Sequence, residues 1–128
     1  MEATEYKWHQ LLSKIDRLGE FDFPLFREAY LETLAILRPL SVASAIPKEQ
    51  LYLMVMAEEF ASHFVTGISA EHDAAGELTA MMLSACCYHR SETPPTHWTA
   101  HSCDGCYSLD QVEETLAALA ENYAEDYR

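Results

Sequence analysis

Between Pro47 and Gly67 the chain carries Leu51, Leu53, Met54, Val55, Met56, Phe60, Phe64 and Val65, residues that fall on most sides of the segment once it is wound as a helix. A helix with so narrow a wet face is stable only when other elements cover it. The remaining segments must therefore supply walls, and their periodicity shows what kind. The spacing predicts a helix over 4–18, with Trp8, Leu11, Leu12, Ile15 and Leu18 on one stripe and Gly19 as its stop. A second, over 23–38, starts beside Asp22 with Pro24 in its first turn and carries Leu25, Phe26, Ala29, Leu34 and Leu37, with Tyr30 beside them. The buried helix itself spans 48–66. A fourth, over 70–90, is capped by Ser69 and runs through Leu78, Met81, Met82 and Leu83. The fifth, over 108–124, opens on Ser108 with Gln111 three residues on, a capping box, and buries Leu109, Val112, Leu116, Leu119 and Tyr123.

No segment sustains the two-residue alternation of a half-buried strand, and Gly (4) and Pro (5) are too scarce for a many-turned sheet protein. The expectation is an all-α fold: one domain over residues 1–128, a five-helix bundle or orthogonal α-array. Its one long irregular stretch, about 91–107, holds Pro94, Pro95, Trp98 and a cluster of Cys and His.

Charge is distributed unevenly along this chain. The net charge is −13, but residues 1–48 hold 7 acids against 6 bases, while residues 49–128 hold 14 acids against two bases, Arg90 and Arg128. A field of one sign over half a small domain repels nucleic acid and anionic membranes and attracts basic surfaces. Direct nucleic-acid binding is thereby disfavoured, and a basic protein partner is expected. No stretch reaches the ~20 apolar residues that span a bilayer, and the N-terminal residues lack the apolar run of a secretion signal. These features predict a cytoplasmic protein, in which the four Cys are reduced thiols or metal ligands rather than disulfides.

All four Cys fall in one place. Cys86-x2-His89 is followed by Cys103-x2-Cys106, with Cys87, His97 and His101 in the same twenty-one residues. Tetrahedral Zn²⁺ asks for four such ligands. At the end of a helix, residues three apart share a face, so Cys86 and His89 would meet one ion there. The Cys-x-x-Cys turn, eased by Gly105, supplies the other pair, and His101 is the natural substitute for His89. The competing reading is ordinary packing: Cys86 continues the stripe of Leu78 and Met82, and free Cys is commonly buried. A redox dithiol lacks its usual βαβ setting.

Other chemistry is thinly represented. Glu59 and His63 are i, i+4 neighbours and form a conceivable general-base pair, against the simpler alternative of a helix-surface pair. Glu71, His72 and Asp73 suit the positive end of a helix dipole. There is no Gly-rich phosphate loop, no Gly-x-Ser-x-Gly elbow and no His-Glu-x-x-His motif. The sequence thus points first to a small acidic binding protein of the immunity or inhibitor type, one that covers the basic face of a toxin nuclease or similar enzyme. Glu113, Glu114, Glu121, Glu125 and Asp126 would supply its charge, and Tyr107, Tyr123 and Tyr127 its anchors. The alternative is a zinc-stabilised helical domain using Cys86, His89, Cys103 and Cys106 to shape a regulatory loop. A helical enzyme built on Glu59 and His63 is the third reading.

Overall fold

A computed structural model describes residues 4–39, 51–62, 70–85, 88–90, 98–100 and 109–123. They form α1 (Thr4–Leu18), α2 (Phe23–Leu37), α3 (Leu51–Ala61), α4 (Ala70–Ala85), β1 (Tyr88–Arg90), β2 (Trp98–Ala100) and α5 (Leu109–Tyr123). The fold is all-α with five helices, as the stripes require, plus one short hairpin. Two expectations are corrected by that hairpin. The fourth helix ends at Ala85 rather than near residue 90, and 98–100, assigned to an irregular stretch, is a strand. β1 and β2 pair antiparallel, with Tyr88 opposite Ala100, His89 opposite Thr99 and Arg90 opposite Trp98. Three residues are too few to show an alternation, so the pairing partner, absent from any local pattern, decides the conformation.

The turn between α1 and α2 follows from three local choices. Gly19, at φ +64°, takes the left-handed conformation that ends a helix. Its N–H donates to Ile15 O at 3.0 Å, the 5→1 bond of an αL cap, and the next N–H, of Glu20, reaches Lys14 O at 3.4 Å. Asp22 then caps α2, its carboxylate accepting from Leu25 N–H at 3.1 Å, with proline in the first turn.

The reversal lays α1 antiparallel on α2. Trp8 Nε1 donates to Thr33 Oγ1 at 2.9 Å, so the buried indole has its partner. Lys7 pairs with Glu32 and reaches Glu28 at 3.6 Å, while Lys14 binds Asp22 at 2.5 Å at the other end. α1 also packs on α3, α3 on α4, and α4 on both α2 and α5. Helices α1 to α4 thus close a ring, and α5 packs on α4 with its buried stripe in the same core.

Aromatic rings fill the ring of helices. Trp8 stands edge-on to Phe26 (6.0 Å between centroids) and to Phe60 (5.5 Å), and Phe26 meets Phe60 at 5.3 Å. Such edge-to-face contacts add to the gain from burial alone. Leu53, Met56 and Phe60 are buried as their spacing predicts, whereas Phe64 lies outside the described residues. Tyr30 is wholly buried, its hydroxyl donating to Leu78 O at 2.9 Å and tying α2 to α4. Leu18, at the C-terminal end of α1, departs from its stripe and is 64% exposed. α3 keeps a narrow exposed edge at Tyr52 and Glu59.

Two measurements test this packing. Phe60→Ala removes the ring on which α1, α2 and α3 converge and should cost about 3–5 kcal/mol in denaturant unfolding; a loss under about 1 kcal/mol would contradict its burial. The second concerns Glu32. Partial burial by itself would raise its pKa, but hydrogen bonds from Lys7 and Thr4 and the Lys7 charge prevail and hold it below its ordinary 4.5. An acid so lowered stabilises the fold fully above its unfolded pKa and loses that contribution as pH falls through the folded value. The stability gap between wild type and Glu32→Gln should therefore be open at pH 7, at about 1 kcal/mol or less for so exposed a pair. It should close as pH drops below 4.5. A gap unchanged down to pH 2 would show that the carboxylate charge contributes nothing.

Candidate functional site

The acids proposed as a partner surface divide once α5 is in place. Arg38, at the C-terminal end of α2, donates to Glu113 at 2.7 Å and approaches Asp110 at 3.4 Å, holding the first turns of α5 against α2. The hydrogen bond to Glu113 is the leading reason that the guanidinium is held even more firmly protonated than usual. Glu113 is thus an internal tie. Glu114 and Glu121 face outward, with no basic side chain in ion-pair reach among the described residues. Seven residues apart, they lie two turns along one face, about 10 Å from each other along the axis. Tyr123 ends α5, and Tyr107, Glu125, Asp126 and Tyr127 lie outside the described residues.

Beside this face, α2 and α5 leave a groove of about 300 Å³ between them. Arg27 and Leu31 line it from α2, and Glu113, Leu116 and Ala117 from α5. Leu31 is 39% exposed there, one of the few large apolar side chains that the described surface leaves open.

Of the metal-ligand candidates, only His89 has a described backbone. It lies on β1, paired with Thr99, and not on the last turn of a helix. The shared helical face that was to bring Cys86 and His89 to one ion is therefore absent: strand residues alternate sides and advance more than 3 Å apiece. Cys86, Cys103, Cys106 and His101 lie outside the described residues, among which no three His, Cys, Asp or Glu side chains group to hold a metal.

Glu59 is exposed at the edge of a cleft of about 470 Å³ between α1 and α3, floored by Leu12 and Met56. The imidazole that shares this cleft is His9, from α1, together with Ser13, Asp16, Arg17 and Tyr52; His63 lies outside the described residues. Sequence reasoning missed His9 because an i, i+4 search sees only one helix at a time. The residues flanking Leu12 on the helical wheel are the one local signal that could have suggested it. His72 was also misread. It is wholly buried, stacked on Phe60 at 5.5 Å and 24° and set against Phe21 at 5.5 Å. It is a core residue in the first turn of α4, and the helix dipole does not account for it.

Comparison with models of protein families, with curated proteins and with solved structures finds no match to this chain.

Proposed function

We propose that the protein acts by binding a basic protein partner through the outer face of α5. The observation that carries this reading is where the positive charges go. Lys7, Lys14 and Arg38 all lie in or next to α1 and α2, and each is engaged by carboxylates of α2, its cap or the start of α5. These three fasten helices to one another, while Arg17 and Arg27 are exposed with no carboxylate in ion-pair reach among the described residues. The acids that remain on α5, Glu114 and Glu121, point outward in a half of the chain with a large excess of acid. Fixed like charges on a firm scaffold attract and orient a basic surface more than they contribute to folding. Among binding proteins of this physical type, an immunity or inhibitor role in the cytoplasm, covering the basic face of an enzyme that acts on nucleic acid, is the reading we favour.

The hairpin supports a second reading, in which zinc braces the segment between α4 and α5. Tyr88 pairs with Ala100. Hence the described residue that follows Cys86-Cys87 lies directly opposite the one that precedes His101. Cys86, Cys103 and Cys106 would supply three ligands and His89 or His101 the fourth.

Both readings have direct tests. A partner recovered by pull-down at low salt should associate at least about tenfold more slowly with the Glu114→Lys/Glu121→Lys double variant, and with a flatter dependence on ionic strength. Glu113 is left intact so that its tie to Arg38, and the helical circular dichroism, are preserved. An unchanged association rate would refute docking on this face. For zinc, elemental analysis of the purified protein should give close to one ion per chain. Chelation should lower the unfolding temperature, since the binding energy of a structural metal is folding energy. One of His89→Ala and His101→Ala should lose the ion and the other keep it; protein purified without chelators that carries no zinc would end this reading.

A further inference from the structure

The groove between α2 and α5 adds a feature that charge alone does not provide. Ala117 stands three residues after Glu114 and four before Glu121, so these three positions form one row along α5. The small side chain at 117 opens the row in its middle, and the opening leads to Leu31 across the groove and Leu116 beneath. A recess with Leu31, Leu116 and Ala117 in its lining, and with Arg27 and Glu113 as its charged members, therefore lies beside the row that carries the two outward carboxylates. The salt bridge from Arg38 to Glu113, at 2.7 Å, fixes one wall. On the α2 side the edge is Arg27, so the carboxylates lie along α5 alone.

We infer that this groove receives one large apolar side chain of the basic partner, carried on a segment with Lys or Arg about one helical turn to either side of it. The inference rests on the reading of α5 as the docking face and names what that face recognises. A segment of this pattern sets its cations on Glu114 and Glu121 while its anchor covers Leu31. Apolar anchors inside a polar rim carry most of the affinity of protein interfaces, and the rim charges govern the speed of encounter. The anchor accordingly governs dissociation, and the two carboxylates govern association.

Two short synthetic helical peptides with the same lysines test the assignment, one with leucine at the central position and one with serine. Binding is followed by calorimetry at low and high salt and by the methyl resonances of Leu31 and Leu116. The leucine peptide should bind about tenfold tighter or better and move both methyl signals. Ala117→Trp, which fills the recess, should abolish the difference between the peptides, and Leu31→Ser provides the same test should the tryptophan disturb folding. Glu114→Lys/Glu121→Lys should weaken both peptides alike. If the peptides bind equally, with salt dependence but without movement at Leu31, the groove is not a recognition site and the docking face stands without it. If neither binds at low salt, the docking face and the groove fall together.

Discussion

An α-helix with apolar side chains on most of its circumference must be enclosed, and α3 is enclosed by aromatic rings from its neighbours. Phe60 meets Trp8 of α1 and Phe26 of α2, and stacks on His72 of α4, so one side chain touches three other helices. Trp8 can occupy that place only because Thr33 accepts its indole proton. An unpaired buried donor would cost about 1–3 kcal/mol. The antiparallel register of α1 on α2 follows, and with it the reach of Lys7 to Glu32 and of Lys14 to the Asp22 cap.

Electrostatics then acts within a geometry set by packing. With bases few, Lys7 and Lys14 of α1 join helix to helix, and Arg38 extends the pattern to α5. That last tie agrees with the rotation that the apolar stripe gives α5. Val112, Leu116 and Leu119 turn inward, Glu113 faces α2, and Glu114 and Glu121 are carried to the outside. The acidic face is a consequence of which side of the fifth helix is buried, which joins the fold to the proposed recognition of a basic partner.

Helices were legible wherever burial imposed a 3.6-residue period. Trp8, Leu11, Leu12 and Ile15 on α1, Leu53, Met56 and Phe60 on α3, and Val112, Leu116 and Leu119 on α5 all sit where their spacing puts them. Leu18 did not follow its stripe, while Tyr30, beside one, is buried as fully as its members, since the edge of a stripe is defined by the neighbouring helices and not by the residue. The candidate site was legible only as composition. Glu113 and Glu114 are indistinguishable as letters, yet one is held by Arg38 and the other faces outward. His9 and Glu59 share a cleft although fifty positions separate them.

By itself the sequence determined the all-α class, four of the five helix spans to within a few residues over the described chain, the turn at Gly19 and the concentration of acid in the second half. Each of these depends on local spacing, capping or summed charge, quantities that a linear string contains. Tertiary structure alone decided that α4 gives way to a hairpin after Ala85, that His72 belongs to the core, and that α2 and α5 leave a groove beside Leu31. These depend on which surfaces meet. Strand pairing, ring stacking and the gap between two helices are properties of pairs of segments distant in the chain, and no window along one segment holds both partners.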